Sequence, residues 1–226
     1  MSFQKITLQG SPYEIGLQHG QQAGEKIDRC IDLYQNAFAN VGISWEESMR
    51  RAAQYVPIIE AYDLDLLAEM QGIADARKRA LIYIVTLSAR SEVMFSAQAI
   101  DGCTTIAVTP PKSDGGTYIA QNRDHYSPFK DIMVLAEIRQ HDKLNILMVT
   151  EAGIIGKIGM NDAGIGLCLN AFGAEGTPGG LARALRYSRN PEFAFAGQGD
   201  RLGHLNKIRQ RRELSDSLQS GHFGRY

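Results

Sequence analysis

The chain has 226 residues, of which 44% are hydrophobic, and this is enough for one sizeable core or two small ones. Its formal net charge of -1 excludes a global field that would draw it to nucleic acid or to a membrane surface. The charge is uneven, because residues 1–180 hold 15 Lys and Arg against 21 Asp and Glu, whereas residues 181–226 hold 9 against 4.

Three cysteines, Cys30, Cys103 and Cys168, fit neither a zinc motif nor a CxxC pair. Their odd number and their spacing favour a reducing, intracellular setting. The N-terminus has no apolar run typical of a signal peptide, and no stretch approaches the length of a membrane span. The last residues form no recognised peroxisomal tripeptide. We therefore expect a cytoplasmic protein that binds neither membrane nor nucleic acid.

The first predicted elements are a short strand and a helix with a strong start signal. Residues 3–8 alternate weakly between polar and apolar side chains, which predicts a strand. Ser11 suits the N-cap of a helix, Pro12 its first position, and Glu14 completes a capping box. The apolar stripe of this helix continues through residues 27–41.

Small and polar residues occupy the first turns of this helix. Gly16 and Gly20 would let it pack closely against another backbone. His19, which lies between them, is either a functional base or a structural donor with a satisfied hydrogen bond. We favour the structural interpretation, because no pattern around His19 indicates a catalytic partner.

Three further helices are predicted before the sequence changes character. Ser44 and Glu47 repeat the capping signature, and Pro57 ends or kinks the helix that they open. A helix over residues 57–77 follows and is expected to turn four apolar side chains inward: Leu64, Leu67, Met70 and Ile73. A fourth helix, over residues 80–97, is apolar on most sides, which indicates that it is buried.

Arg90 and Glu92 interrupt the apolar surface of this fourth helix. A buried charge without a partner is costly. These two side chains therefore need partners elsewhere in the chain, or they belong to a functional site.

From residue 104 onward the hydrophobic period changes to two, which predicts strands. The predicted strands cover residues 104–109, 118–123, 132–139, 144–150, 154–160 and 165–172. We expect them to follow one another as antiparallel neighbours in a sheet that is covered on both faces. After about residue 176 the pattern fades, and a basic, solvated or disordered tail is expected over residues 181–226.

Gly102 and Cys103 stand where the helical part meets the strand-rich part, with Cys103 as the first residue of the first strand. By residue type alone, Cys103 is more often an ordinary buried core residue. The alternative is that the peptide bond between the two residues is cut, because glycine tolerates a strained backbone and strain can serve chemistry. Cys103 would then carry a thiol nucleophile and a free α-amine, whose reference pKa of about 7.7–8.0 suits a base.

The thiol of Cys103 could make this cut itself, by attacking the Gly102 carbonyl to give a thioester that water then opens. Asp124 ends the next predicted strand and is expected beside Cys103 across the antiparallel pair, where it could orient the amine or bind a substrate amine. Asn122 and Arg123 precede it as candidate substrate-binding residues. The other interpretation of this triplet is a strand-end turn, in which Asn and Asp are common.

Several short motifs between residues 10 and 172 carry little information alone but are specific together. They are Ser11–Gly16 with His19–Gly20, Glu69–Ala74, Arg90–Glu92, Asp101–Thr105, Gln121–Asp124, and Glu151–Lys157 with Asn161–Gly164. In these motifs and in their order the chain resembles the acyl-coenzyme A:6-aminopenicillanate acyltransferase family, also called isopenicillin N acyltransferases. This family is a cysteine group of the N-terminal nucleophile hydrolases.

The resemblance implies an α+β fold, namely an N-terminal nucleophile hydrolase-like αββα sandwich with antiparallel sheets. It implies self-cleavage before Cys103, and then action on a small amide, by acyl transfer or hydrolysis, through Cys103 with help from Asp124, in specialised metabolism. No bound cofactor or metal is expected, acyl-CoA is a candidate co-substrate, and the cleaved fragments would form a heterodimer. The domain would span residues 1–180, with an α-chain-like part, 1–102, and a β-chain-like part, 103–180.

Family members usually continue well past the length of this chain, with further strands and an Asn that helps to form the oxyanion hole. Residues 181–226 contain no matching segment and look like a shifted reading frame or a misread exon. The alternative function is therefore a truncated, catalytically weak or inactive relative that at most binds a ligand or partner, with a fold incomplete at its C-terminus. A third interpretation is an interaction protein with a basic tail.

Overall fold

The computed structural model describes residues 3–95, 102–124 and 127–169. All of them belong to the first of two compact units, Met1–Asn190. The second unit, Pro191–Tyr226, lies outside the described residues. The tail expected over residues 181–226 lies outside them as well and stays a prediction.

The α-helices of the described part lie between the first and the second strand of the chain, as predicted. The α-helices are α1 (Pro12–Gln22), α2 (Gly24–Asn40), α3 (Trp45–Ala52), α4 (Val56–Tyr62), α5 (Leu64–Ala76), α6 (Leu81–Ser88) and α7 (Arg90–Phe95). Two short 3₁₀ helices cover Ala53–Tyr55 and Ser127–Ile132. The strands are β1 (Gln4–Gly10), β2 (Gly102–Val108), β3 (Tyr118–Asp124), β4 (Met133–Gln140), β5 (Ile146–Glu151), β6 (Ile158–Asn161) and β7 (Gly166–Leu167).

Both predicted capping signatures begin helices. The Ser11 hydroxyl accepts from the Glu14 N–H at 3.4 Å, and the Glu14 carboxylate accepts from the Ser11 N–H at 2.8 Å, which completes the capping box of α1. Ser44 caps α3 by accepting from the Glu47 N–H at 3.1 Å. The Glu47 carboxylate, in contrast, accepts from two arginines in the next turn of α3. These starts are confirmed because they depend only on neighbouring residues.

Each of three predicted helices is interrupted once, at Ala23, Asp63 and Ala89, so the predictions of unbroken helices are wrong at these positions. Asp63 has an extended backbone, and its carboxylate accepts from the Asp65 N–H at 2.9 Å, so it caps α5 instead of continuing α4. A short acidic side chain offers the backbone this alternative to a helical bond. The apolar period continues through each break, so periodicity does not reveal it.

The predictions for Leu64 and Pro57 also differ from the structure. Leu64 was expected to face inward, but it is 63% exposed, because the new helix starts there and brings Leu66 into the core instead. Pro57 lies in the first turn of α4, after α3 has ended at Ala52 and a 3₁₀ turn has followed. A proline is compatible with the first turn of a helix, where its missing N–H has no intrahelical partner.

Glycines let α1 and α5 cross in direct backbone contact. A Cβ atom at Gly16 would overlap the carbonyl oxygen of Glu69, and one at Gly72 would overlap the carbonyl oxygen of Tyr13. At Gly20 it would overlap the Ala76 side chain of the same partner helix. The close packing predicted for this part of α1 is therefore confirmed.

The described strands form two sheets, and the larger one is mixed. It has the order β1-β4-β5-β6-β7, and β2 pairs with β3 in a separate hairpin. The antiparallel neighbours β2–β3, β4–β5, β5–β6 and β6–β7 are confirmed. The prediction of purely antiparallel sheets is wrong, because β1 pairs in parallel with β4. A parallel pair needs a long crossover, and here that crossover holds all the helices.

The described strands differ in their bounds from those predicted, and the differences at β2, β6 and β7 bear on the site and its surroundings. β2 begins at Gly102, so Cys103 is its second residue. β6 begins only at Ile158, because residues 152–157 form a turn that is itself buried. β7 covers Gly166–Leu167, and the part of its predicted span from residue 170 onward lies outside the described residues.

The helices cover one face of the larger sheet. Side chains on this inner face are buried in one core with the helices: Ile6, Leu8, Val134, Ala136, Ile138 and Met148. Paired residues on the outer face are Thr7, Glu137, Leu147, Met160 and Gly166. A Cβ atom at Gly166 would overlap the side chain of Ile119 in β3. The β2–β3 hairpin therefore approaches the face of the sheet that the helices do not cover.

Candidate active site

The predicted site residues come together at the open end of the β2–β3 hairpin. Cys103 is half-buried, and the strand register places it opposite Arg123. Asp124, which was expected beside Cys103, stands opposite Gly102 instead, one position along. The peptide bond between Gly102 and Cys103 therefore joins a residue that stands opposite Asp124 to one that stands opposite Arg123. The structure describes only the backbone of Gly102, Arg123 and Asp124.

Asn122 lies one pair further along this hairpin. It stands opposite Thr104, and its side chain is exposed. Asn122 and its partner Thr104 therefore present polar groups to solvent next to Cys103. Because neighbouring residues of a strand face opposite sides, Asn122 and Thr104 lie on the face of the hairpin opposite to that of Cys103, and the geometry assigns Asn122 no role.

Contacts within the connection between β2 and β3, residues 109–117, help to fix the register of the hairpin at its closed end. The N–H of Lys112 donates to the Thr109 carbonyl at 2.9 Å. The Tyr118 hydroxyl donates to the Asp114 carboxylate at 2.8 Å, and this hydrogen bond lowers the pKa of Asp114. Because a one-residue slip would turn every side chain to the opposite face, these contacts help to decide which residue faces Cys103.

The hairpin is also tied to the larger sheet next to the candidate site. The side-chain amide of Gln121 donates to the carbonyl of Leu169, and its oxygen accepts from the Leu169 N–H at 3.2 Å. One side chain thereby satisfies both backbone groups of a residue just beyond β7. These two hydrogen bonds join β3, which carries Arg123 and Asp124, to the residue just beyond β7.

The environments of the three thiols differ. Cys30 is completely buried in α2, and burial, followed by the charge of Glu151, raises its pKa well above the ordinary value. Burial also raises the pKa of Cys168. A raised pKa disfavours the thiolate, which is the nucleophilic form. Chemistry through a thiol is thus disfavoured at Cys30 and Cys168.

Arg90 has the partners that the sequence requires. Its Nε donates to the Tyr34 hydroxyl at 2.7 Å, its Nη1 to the Leu87 carbonyl at 3.2 Å and its Nη2 to the Glu151 carboxylate at 3.3 Å. The other carboxylate oxygen of Glu151 accepts from Lys157. Glu151 and Lys157 were not predicted from the sequence as ionic partners. Two opposite charges within an otherwise apolar run are the signal that could have revealed them.

The ionic cluster of Arg90, Glu151 and Lys157 is almost completely buried. The side chains of Arg90, Glu151 and Lys157 are 6%, 0% and 4% exposed. Burial opposes the charged form of Arg90, but the Tyr34 oxygen and the Glu151 carboxylate favour it, and the net effect is a raised pKa. Arg90 therefore stays charged, and removal of one partner would leave a buried charge uncompensated.

His19 has the structural role that the sequence favours. It is completely buried, and its Nε2 accepts from the Gly153 N–H at 3.1 Å. Gly153 has a φ of 85°, in the left-handed region that favours glycine, and it lies in the buried turn after Glu151. A ring nitrogen engaged in this way does not act as a base in a cleft.

The described residues contain neither a metal-binding cluster nor a membrane-spanning helix. No group of three or more His, Cys, Asp or Glu side chains in residues 3–95, 102–124 and 127–169 could hold a metal ion. Within the same part of the chain, no helix combines the length and the apolar character that a membrane span needs.

Comparison with known proteins shows what the chain is similar to. The chain is 34% identical over 182 residues to the acyl-coenzyme A:6-aminopenicillanic-acid-acyltransferase 40 kDa form of Emericella nidulans. The match covers 78% of this chain and 49% of the relative, so the chain spans about half the length of the curated relative that it matches. No family model matches the chain. The resemblance that the motifs indicate is confirmed by this match.

Proposed function

Because the chain is related to the acyl-CoA:6-aminopenicillanic-acid acyltransferases, we propose that it is a self-processing N-terminal-cysteine enzyme. It cleaves its own backbone between Gly102 and Cys103 and then uses Cys103 to act on a small amide, either by acyl transfer or by hydrolysis. Acyl-CoA is the proposed acyl donor. The observation that carries the proposal is the hairpin register, which gathers Gly102, Cys103, Arg123 and Asp124 at one end of one strand pair.

The proposed cleavage needs only groups of this chain and water. The Cys103 sulfur attacks the Gly102 carbonyl carbon, the carbon–nitrogen bond breaks, and the thiol proton ends on the released amine of Cys103. Water then adds to the thioester, the sulfur–carbon bond breaks, and a carboxyl group on Gly102 and the thiol of Cys103 are formed. Splitting one difficult step into two easier ones is the general advantage of covalent catalysis.

After cleavage, Cys103 supplies both the nucleophile and a base. Its new α-amine has a reference pKa of about 7.7–8.0, so near neutral pH a useful fraction can take the proton of the thiol. Asp124 stands opposite Gly102, the residue that precedes this amine in the chain. We assign Asp124 to the orientation of the amine, and Asn122 and Arg123 to substrate binding.

The layer order supports an N-terminal nucleophile hydrolase-like sandwich. Helices cover the inner face of the larger sheet, and Ile119 brings the β2–β3 hairpin to the outer face at Gly166. This arrangement corresponds to the first three layers of an αββα sandwich.

The contacts between residues 1–102 and 103–169 support a heterodimer of cleaved fragments. β1 belongs to the first fragment and pairs along its whole length with β4 of the second. Arg29 donates to the Asp131 carboxylate at 2.8 Å, and Lys143 binds Asp63 and Asp65 across the same boundary. Cutting one peptide bond leaves all of these contacts in place.

Intact mass spectrometry of the purified chain tests the proposal. We expect the wild type to give two masses that correspond to a cut before Cys103, and Cys103→Ala to give one uncut mass. Cys168→Ala is the matched control, because it removes another half-buried thiol, which has no proposed role, and it should be cut like the wild type. A folded wild type that stays full length would refute self-processing.

A further inference from the structure

We propose that Arg90 is a positioning residue for self-cleavage. It fixes the start of α7, the last described helix before the Gly102–Cys103 bond, onto the end of the larger sheet. The inference rests on the proposed self-cleavage and adds the element that holds the bond from its N-terminal side.

The first step is that α7 depends on Arg90 for its orientation. This helix has six residues, and an isolated helix of that length is not stable in water. Arg90 is its first residue, and the guanidinium contacts three different elements: Tyr34 in α2, the Leu87 carbonyl in α6 and Glu151 at the end of β5. Three donors in a rigid planar group define an orientation better than a single point charge does.

The second step is that Glu151 is a rigid anchor. Its carboxylate is completely buried and is shared with Lys157. The turn that follows is tied to its surroundings, because the Ala152 N–H donates to the Ile132 carbonyl at 2.9 Å and the Gly153 N–H donates to His19. Arg90 is therefore joined to a part of the sheet that is itself held on several sides.

The third step concerns the reacting bond. β2 pairs with β3 and holds Gly102 and Cys103 from their C-terminal side. α7 ends at Phe95, shortly before Gly102, so Arg90 determines where the segment on the other side begins. Attack by a thiol on a carbonyl depends on alignment, and a misplacement of about 1 Å can cost roughly 10²-fold in rate. Loosening α7 should thus slow the cut even in a folded chain.

The test follows the self-cleavage of the full chain after cell-free synthesis is stopped, by the ratio of cut to uncut protein over time. Arg90→Lys keeps the charge but loses the three-donor geometry, and we expect it to slow cleavage by about tenfold or more. Arg77→Lys is the matched control, because Arg77 also joins two helices, through Asp28, but lies outside α7. It should cleave within about twofold of the wild type, since its contacts do not involve the start of α7.

Temperature separates positioning from simple loss of stability. A variant that is only less stable regains the wild-type rate when it is cooled well below its unfolding midpoint, whereas a misaligned bond stays slow. Tyr34→Phe removes a single contact of Arg90 and provides the same comparison if Arg90→Lys fails to fold. A rate equal to that of the wild type, or a deficit that disappears on cooling, overturns the inference. An uncut wild type overturns the proposed function itself.

Discussion

The backbone N–H of Gly153 donates a hydrogen bond of 3.1 Å to Nε2 of His19, although the two residues are 134 positions apart in the chain. The bond joins the first helix to the buried turn after β5 and spans the proposed cleavage point. It also gives the buried turn, whose polar groups cannot reach water, one of the partners that it needs. His19 is therefore part of the core of the molecule.

Replacement of His19 by Ala should reduce the free energy of unfolding by roughly 1–3 kcal/mol, because the Gly153 N–H would lose its acceptor in a buried position. Urea unfolding measures the change. His141→Ala is the control, because His141 is exposed, and its effect should stay within about 0.5 kcal/mol. Equal effects of the two substitutions would show that the bond between His19 and Gly153 contributes little.

Gly16→Ala should destabilise the fold by about 1–3 kcal/mol or more, because the new methyl group would overlap the Glu69 carbonyl and force α1 away from α5. Gly24→Ala is a matched control at the start of α2. There the new methyl group meets only the end of the flexible Arg77 side chain, which can move. Thermal unfolding of both variants checks the prediction, and a Gly16→Ala protein as stable as Gly24→Ala would contradict it.

The ion pairs of Glu47 in the first turns of α3 should make the stability of the protein depend on pH in the acidic range. Arg50 and then Arg51 lower the pKa of Glu47 to about 2, from an ordinary value of 4.5. Since the pKa in the folded state is below that in the unfolded state, the charged carboxylate stabilises the fold above about pH 4.5, and this contribution is lost as the pH falls towards about 2.

Glu47→Gln should accordingly lower the thermal midpoint at about pH 6, and the difference from the wild type should shrink as the pH falls through about pH 4.5 towards about pH 3. Glu46→Gln changes the exposed carboxylate one position earlier and controls for the general charge at this helix end. A difference between wild type and Glu47→Gln that is independent of pH would exclude the ion pairs as its cause.

Local features of the fold were predictable from the sequence, whereas long-range ones were not. The starts of α1 and α3 follow from residues three positions apart, and each antiparallel neighbour follows from the next strand along the chain. The parallel pairing of β1 with β4 has no local signature, because it depends on how all the helices pack between them. The helix break at Asp63 was not predicted for another reason, since one capping side chain overrides an otherwise continuous apolar period.

The candidate site shows the same division. The adjacency of Gly102, Cys103 and Asp124 followed from consecutive strands, but the register was one residue off. The turn between β2 and β3 sets that register through contacts such as the one between Tyr118 and Asp114, and counting residues does not reveal them. The sequence likewise showed that Arg90 needs a partner without identifying Glu151, which lies in a different part of the chain.

Asp124→Asn should reduce turnover by the cleaved protein by about 10²-fold or more, because the amide keeps the size of the side chain but loses the charge that we propose orients the Cys103 amine. Its circular dichroism spectrum should match that of the wild type. Asp142→Asn is the control, since Asp142 is an exposed residue in the turn between β4 and β5, outside the hairpin that carries the proposed cut. Parallel loss of folding and activity in Asp124→Asn would indicate a structural carboxylate instead.

The cleaved fragments should remain together and should unfold as a dimer. β1 is hydrogen-bonded to β4 across the proposed cut, and the buried Arg90 and Glu151 lie on opposite sides of it, so separation would expose a sheet edge and two buried charges. The cleaved protein should elute as one species. Because its unfolding releases two chains, its thermal midpoint should rise with protein concentration, whereas that of uncut Cys103→Ala should not. A midpoint of the cleaved protein that does not change with concentration would show that one fragment folds without the other.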